Sequence, residues 1–184
     1  MWSRPRLITN NQPVTDDALE IIGEMLRFTQ GGRFYSGLEQ LKTFCQPQTL
    51  AAFAWDLFTA WQQAGAPAKD NWAFLALSLF GDESTARDLT TQILAWPQEG
   101  KSARAVIGLN ILTLMNNDMA LIQLHHVSQR AKSSSLRENA AEFLQVVAEN
   151  RGLSQEELAD RLVPTLGLDD PQALIFDFGP RQFT

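Results

Sequence analysis

The side chains best suited to metal binding or nucleophilic chemistry are two adjacent histidines and a single cysteine. His125 and His126 are the two histidines of the chain. Adjacent residues of a helix point about 100° apart, so this pair lacks the i, i+4 spacing with which two helical histidines bind one metal ion. Cys45 has no lysine or arginine directly beside it to lower the pKa of its thiol. We therefore infer no metal and no cofactor, and we predict that Cys45 packs in the core on the apolar face of a helix.

Two short motifs resemble parts of known functional sites. Asp177-Phe178-Gly179 matches the metal-binding triplet of protein kinases, but no Gly-rich loop or catalytic-loop Asp and Asn precede it. Residues 152–162 resemble the opening of a helix-turn-helix. The segment 164–171 that follows is acidic and broken by prolines, so DNA phosphates would repel it. The triplet therefore predicts a hairpin turn, and the second motif predicts an ordinary helix.

The distribution of charge argues against nucleic acid as a partner. Residues 1–137 hold 12 basic and 12 acidic side chains, whereas residues 138–184 hold 3 and 9, which accounts for the net charge of −6. Residues 101–137 contain five basic side chains and a single acidic one, Asp118. The basic residues are Lys101, Arg104, Arg130, Lys132 and Arg137. A protein that neutralises many phosphates usually carries a strong basic stripe, and this cluster is modest.

The composition is that of an ordinary globular protein. The chain has 184 residues, of which 45% are hydrophobic and 20% charged. Its longest apolar runs, 51–55 and 73–77, are far shorter than the roughly 20 residues of a membrane span. The positively charged N-terminus has no apolar stretch behind it, so it does not read as a signal peptide. With one cysteine and no disulfide, these features predict a cytoplasmic protein without a membrane partner.

Apolar residues at helical spacing, separated by capping residues, Gly and Pro, predict an all-α fold of about eight or nine helices. Predicted helix starts include Thr15, Pro47, Asp70, Ser84 and Ser133, and Ser154 with Glu157 has the spacing of a capping box. The segment 101–116 is the most apolar and is predicted to lie buried between neighbours. Four tryptophans fall on apolar faces, which favours core filling over stacking on bases: Trp55, Trp61, Trp72 and Trp96.

The predicted helices repeat as three pairs. Leu77, Leu109 and Ala141 take equivalent positions in the second helices, 32 residues apart each time. Helix pairs with a period of roughly 30–47 residues are typical of a stacked α-solenoid, and a plain helical bundle is the alternative. The pairs are 48–64 with 70–80, 84–96 with 101–116, and 118–131 with 135–151.

Three regions follow from this division. Residues 1–33 form an irregular segment and a first helix, 34–152 form the helix pairs, and 153–184 form a last helix and a short β-hairpin. The sequence stops inside the second strand of that hairpin. A domain rarely ends on an unfinished strand edge, so we expect the chain to be a fragment of a larger protein.

Four stretches resemble segments of a known protein family. They are FAWDLFTAW (53–61), WPQEG (96–100), ADRLVPTLGL (159–168) and DFGPRQF (177–183). On these stretches the chain, from about Leu38 onward, resembles a helical region of large bacterial proteins labelled WGR-domain or molybdate-metabolism-regulator-like. The resemblance implies HEAT-like repeats, a cytoplasmic setting, neighbouring domains and no catalytic residues. Its label hints at molybdate regulation, although the sequence has no Gly-rich anion cradle and no convergent Arg pair at a helix start.

We therefore predict a non-catalytic HEAT-like scaffold that contacts protein partners or sister domains of a longer chain, with no small-molecule substrate. The alternatives are a regulator of molybdate metabolism, a nucleic-acid-associated HEAT scaffold, and an enzyme whose active site lies elsewhere in the full-length protein. The second helices of a solenoid usually line its concave side. Six residues at the starts of those helices form the candidate partner surface and are predicted to cluster: Asp70, Asn71, Lys101, Arg104, Arg137 and Glu138.

Overall fold

The computed structural model describes residues 2–28, 34–162, 176–177 and 182–183. These residues are mainly helical, which confirms the all-α class for the part described. The helices are α1 (Asp16–Arg27), α2 (Gly37–Phe44), α3 (Pro47–Gln63), α4 (Trp72–Phe80), α5 (Glu83–Ala95), α6 (Ser102–Met115), α7 (Asp118–Arg130), α8 (Ser134–Asn150) and α9 (Gln155–Leu162). Two 3₁₀ turns, Ala68–Asp70 and Trp96–Glu99, precede α4 and α6. In the described ranges no helix is both long and apolar enough to cross a membrane.

Two two-residue strands lie near the C-terminus. Strand β1 (Phe176–Asp177) pairs antiparallel with β2 (Gln182–Phe183), with Phe176 opposite Phe183. The rest of the predicted hairpin, including its turn, lies outside the described residues. Gly31 and Gly32, with which the sequence predicts that the first helix ends, and Pro164, with which it predicts that the last helix ends, also lie outside the described residues.

Most helix starts follow from local sequence. The Thr15 side chain accepts a hydrogen bond from the Ala18 backbone N–H at 3.3 Å, and Ser133 does the same for Leu136 at 3.3 Å. Such caps satisfy amides that have no partner inside the helix. Pro47 occupies the first turn of α3, where its missing N–H costs no hydrogen bond. These three predicted starts are confirmed.

Two predicted caps are wrong. Asp70 lies inside the 3₁₀ turn that follows Pro67, and its Oδ1 accepts a hydrogen bond from Trp72 Nε1 at 3.4 Å instead of capping α4. Helix α5 starts before Ser84, because the Asp82 carboxylate takes the capping position and accepts from the Thr85 N–H at 2.9 Å. A charged acceptor makes the stronger cap of the two.

The capping box at the start of α9 is confirmed. The Ser154 backbone N–H donates to Glu157 Oε2 at 2.7 Å, and the Glu157 N–H donates to Ser154 Oγ at 3.1 Å. Hydrogen bonds to the Glu157 carboxyl from the Ser154 backbone N–H, which has the larger effect, and from the Ser154 side chain lower the pKa of that carboxyl below its usual value. The reciprocal pair fixes where the last helix begins.

The N-terminal segment is pinned to the junction between α2 and α3. Ile8 N–H donates to the Phe44 carbonyl at 2.9 Å, and Gln46 N–H donates to the Arg6 carbonyl at 2.8 Å. Cys45 follows α2 instead of lying on a face of it, and it forms a β-bridge with Leu7. The thiol is buried as predicted, and burial raises its pKa. Sequence periodicity therefore found the burial of Cys45 but not its position.

The central helix is α6, which contacts α4, α5, α7 and α8. Ala105, Leu109, Ile111 and Leu112 have no exposed surface, whereas Leu114 near the end of the helix is exposed. This confirms that the most apolar segment lies between neighbours. Contacts also run between the first and second helices of each predicted pair, α3 with α4, α5 with α6 and α7 with α8.

Four aromatic rings join α3, α4 and the 3₁₀ turn before α6. Phe58 and Phe74 stack with ring centroids 4.9 Å apart, and Trp61 stacks on Phe74 at 5.2 Å. Trp96 meets Phe74 edge to face at 5.8 Å. Trp61 and Trp96 are buried, as predicted, whereas Trp55 and Trp72 are half-buried. Offset and edge-to-face pairs add to the free energy of burying the rings.

Helix α6 passes very close to the end of α5 at Gly108. A Cβ atom at this position would lie 2.6 Å from Ile93 Cγ1 and 3.2 Å from Trp96 Cζ3. Both of those residues are buried and have little room to move. Gly23, in the middle of α1, has no atom within 4 Å of the same point.

We expect Gly108→Ala and Gly23→Ala to change the free energy of unfolding in opposite directions. Overpacking a tight core costs about 1–3 kcal/mol, whereas replacing an unconstrained helical Gly by Ala gains up to about 1 kcal/mol. Urea denaturation followed by circular dichroism measures both. Equal stabilisation by the two substitutions would contradict the close approach at Gly108.

Candidate partner-binding surface

The six predicted surface residues lie at the beginnings of three helices. Asp70 and Asn71 directly precede α4, Lys101 directly precedes α6 with Arg104 in its first turn, and Arg137 and Glu138 follow the first turn of α8. In the described part of the chain, no hydrogen bond or ion pair joins one of these three groups to another. Their arrangement into one continuous surface therefore stays a prediction.

Arg104 is held against two indole rings. Its guanidinium carbon lies 5.2 Å from the centroid of Trp61 and 5.9 Å from that of Trp96. Both distances are within the range of cation–π attraction. The sequence predicts a surface charge at Arg104 but not this packing, because the three residues come from different elements and no local spacing links them.

A cleft of ≈ 370 Å³ opens beside Arg104. Two glutamine side chains in its wall are joined by a hydrogen bond, which Gln62 Nε2 donates to Gln92 Oε1 at 2.7 Å. Lys101 Nζ lies 2.6 Å from Glu99 Oε2, so these two charges compensate each other. The cleft is lined by Gln62, Gln63, Gln92, Ala95, Trp96, Glu99, Lys101 and Arg104. Sequence reasoning found two of these residues and missed the glutamine amides.

Arg137 has a structural task besides its charge. Its Nη1 donates to the Ala131 carbonyl at 2.6 Å and to the Lys132 carbonyl at 3.4 Å. These carbonyls follow the end of α7, where a cation also interacts favourably with the helix dipole. Arg137 therefore ties α8 to α7, and Glu138 beside it is exposed.

An acidic cleft of ≈ 260 Å³ lies on another part of the fold. Asp56, Asp82 and Asp88 line it, together with Trp55. Asp56 Oδ2 accepts a hydrogen bond from the Ser3 backbone N–H at 2.6 Å, and Asp82 caps α5. Two of the three carboxylates are therefore already used in holding the fold together. The sequence analysis did not bring these residues together, since they lie on α3, on α5 and in the loop between α4 and α5.

The residues considered for metal chemistry lie apart from each other. His125 and His126 are half-buried on α7, while Cys45 is buried near the N-terminal segment. Within the described residues, no group of three or more His, Cys, Asp or Glu side chains could hold a metal ion.

Comparison with known proteins gives one long match. The chain is 96% identical over all 184 of its residues to a protein of Escherichia coli (strain K12) described as "Uncharacterized protein YehI". It spans 15% of the length of that protein. No protein-family model matches the chain. No solved structure matches it either.

These comparisons overturn the family resemblance. The assignment to WGR-domain or molybdate-metabolism-regulator-like proteins is wrong, because no such family matches and the E. coli relative carries no such description. The four stretches behind it are short, and short strings of helix-forming and apolar residues recur in unrelated helical chains. Much of the last two stretches also lies outside the described residues.

We expect Trp96→Ala to lower the free energy of unfolding by about 3–5 kcal/mol, because it removes a buried ring from the aromatic cluster beneath Arg104. Trp2→Ala is the matched control: Trp2 is 55% exposed and Trp96 is 3% exposed. Removing Trp2 should change stability by no more than about 0.5 kcal/mol. Urea denaturation of both variants compares them, and a similar loss in both would contradict the packing described.

Proposed function

We propose that the chain is a non-catalytic, HEAT-like helical-repeat scaffold that contacts protein partners or other parts of a longer polypeptide. In this proposal residues 34–152 form the repeated helix pairs, 1–33 close one end, and 153–184 add a last helix and a short hairpin. The boundaries are those predicted from the sequence. The surface that makes the contacts consists of Asp70, Asn71, Lys101, Arg104, Arg137 and Glu138.

The observation that carries the proposal is the order of helix contacts. Helix α4 contacts α6, α6 contacts α8, and on the other side α5 contacts α7 and α7 contacts α9. The succession of the second helices, together with the contact of α5 with α7, supports a solenoid. Short connections make neighbouring helices antiparallel, so in this arrangement α4, α6 and α8 all begin on the same side.

The charges of that side suit a protein partner. The six residues include three basic and two acidic side chains, which form a mixed field. Mixed charges set the orientation and encounter rate of protein partners more than their affinity. The chain spans 15% of the length of the E. coli relative, which leaves room for a partner within the same polypeptide.

Chemical cross-linking of the full-length E. coli protein with an amine-reactive reagent tests the proposal. We expect Lys101 to cross-link to residues outside this 184-residue stretch or to a second protein. Lys42 is the matched control, because its side chain is 44% exposed and that of Lys101 is 43% exposed, and each pairs with a nearby glutamate. Lys42 lines a cleft with Phe80 and Met115, at the ends of α4 and α6 opposite to Lys101.

A higher yield of such cross-links from Lys101 than from Lys42 supports the proposal, and mass spectrometry of the digested protein gives both yields. Cross-links within one polypeptide indicate sister domains, and cross-links between polypeptides indicate a separate partner. Equal yields from the two lysines, or a higher yield from Lys42, would contradict a contact surface at the helix starts.

The nucleic-acid alternative uses the basic cluster of Lys101, Arg104, Arg130, Lys132 and Arg137, of which Arg130 and Lys132 are exposed near the end of α7. Two other members of the basic cluster have structural contacts, Arg104 with tryptophan rings and Arg137 with carbonyls. We therefore expect only non-specific binding to duplex DNA, with a Kd near 10⁻⁴–10⁻⁶ M or weaker at physiological salt.

A fluorescence-anisotropy titration with duplex DNA at that salt checks this expectation. Sub-micromolar binding that disappears when Lys101, Arg104 and Arg137 are changed together to Ala would overturn the protein-partner proposal. The same variant should keep its helical circular-dichroism spectrum, which separates lost binding from lost folding.

A further inference from the structure

The Arg104 side chain is ordered before any partner arrives. Two indole rings hold its guanidinium group, Trp61 at 5.2 Å and Trp96 at 5.9 Å. Trp61 is itself fixed, because its Nε1 donates to the Pro67 carbonyl at 3.0 Å. A long cationic side chain normally loses rotamer freedom when it binds, and a side chain already held in place loses less.

The Arg104 guanidinium group forms no ion pair in the described part of the protein. None of the ion pairs there includes Arg104. Glu99 lines the same cleft, but Lys101 neutralises it at 2.6 Å. The cleft therefore carries one uncompensated positive charge on a half-buried side chain. A charge taken partly out of water gains from an opposite charge brought to it.

The cleft that contains this charge also offers an amide hydrogen-bond donor. Gln92 Oε1 already accepts from Gln62, which leaves the NH₂ group of Gln92 as a donor. A guanidinium group offers two parallel N–H donors that match the two oxygens of a carboxylate. Arginine and an amide NH₂ together thus complement a carboxylate better than they complement a cation or an apolar side chain.

The size and surroundings of the cleft favour an acidic side chain of a peptide over a nucleic-acid backbone. A volume of ≈ 370 Å³ is enough for a Glu or Asp side chain with its neighbouring backbone. A phosphate backbone needs a row of cations, whereas here a single free charge lies beside Glu99, which is already paired.

We propose that the cleft formed by Gln62, Gln92, Trp96 and Arg104 binds a carboxylate side chain of an acidic peptide segment in the protein partner. Arg104 forms the ion pair, and the Gln92 amide donates a further hydrogen bond. The inference rests on the scaffold function proposed above and specifies the chemistry of one part of its surface.

NMR titration of the ¹⁵N-labelled chain tests the proposal with two blocked peptides, acetyl-Gly-Glu-Glu-Gly-amide and acetyl-Gly-Gln-Gln-Gly-amide. The Arg104 Nε–H signal and the indole N–H signals of Trp61 and Trp96 report on the cleft. We expect these signals to shift saturably with the glutamate peptide and about tenfold more weakly with the glutamine peptide. The indole signal of Trp2, which is exposed elsewhere, serves as the internal control and should stay unchanged.

Three variants show which group binds the peptide. Arg104→Gln should abolish the saturable shifts of Trp61 and Trp96, and Arg104→Lys should weaken binding because a lysine lacks the planar pair of donors. Arg130→Gln removes an exposed arginine at the end of α7 and should leave binding unchanged. Arg104→Gln also removes a contact to the core. The dispersion of the indole N–H signals of this variant must therefore first show that it is folded. Arg104→Lys keeps the charge and serves if Arg104→Gln does not fold.

Equal shifts with both peptides, no saturable shift with the glutamate peptide, or unchanged binding in Arg104→Gln would overturn the proposal. Saturation of the same signals by a DNA oligonucleotide but not by the peptide would also overturn it. The cross-linking experiment separates this outcome from failure of the scaffold function. If Lys101 still cross-links more than Lys42 while the peptide does not bind, the scaffold proposal stands and the carboxylate site does not.

Discussion

The burial of α6 is the constraint on which the rest of the fold depends. Ala105, Leu109, Ile111 and Leu112 have no exposed surface. Each buried large aliphatic side chain contributes about 1.5–3 kcal/mol relative to leaving it in water. A helix that is apolar around most of its circumference needs neighbours on several sides, and α4, α5, α7 and α8 supply them. Among the described helices, α6 is thus enclosed by two helices that precede it and two that follow it.

The same packing decides where charge reaches the surface. The first turn of α6 emerges beside the aromatic cluster, so Arg104 lies over Trp61 and Trp96 while Lys101 remains exposed. Gly108, one turn further along, lets α6 approach Ile93 and Trp96 closely. A substitution that moves α6 away from Trp96 would therefore also move Arg104. The core and the proposed contact surface are mechanically joined at this point.

Two of the clefts in the described part of the fold carry opposite charge. One contains the uncompensated charge of Arg104, and the other contains Asp56, Asp82 and Asp88. They differ in how their charges are used. Asp56 and Asp82 already accept backbone hydrogen bonds that hold the N-terminal segment and α5, whereas Arg104 keeps donors free for a ligand. The Arg104 cleft therefore has groups free to bind a ligand, whereas two of the three carboxylates of the acidic cleft already stabilise the fold.

Local sequence determined where several helices begin and which helix is the most buried. The caps at Thr15 and Ser133, Pro47 at the start of α3 and the capping box of Ser154 and Glu157 depend on residues at most a few positions apart. The apolar circumference of 101–116 likewise required no knowledge of its neighbours. Asp70 and Ser84 were misassigned as caps, because a 3₁₀ turn that contains Asp70 leads into α4 and because the Asp82 carboxylate caps α5. Short shared strings gave a family that the comparisons do not support.

Only the tertiary structure decided the environment of the candidate site. The contact of Arg104 with Trp61, the pairing of Gln62 with Gln92 and the bridge from Leu7 to Cys45 join residues about 30 or more positions apart. Helical periodicity predicts which side of a helix turns inward, but not which residue of another helix it meets there. That choice depends on how helices of given length and side-chain volume pack against each other at close range. The charges at the helix starts could therefore be identified from the sequence. The contact of Arg104 with Trp61 and Trp96, which leaves its guanidinium group without an ion pair, could not.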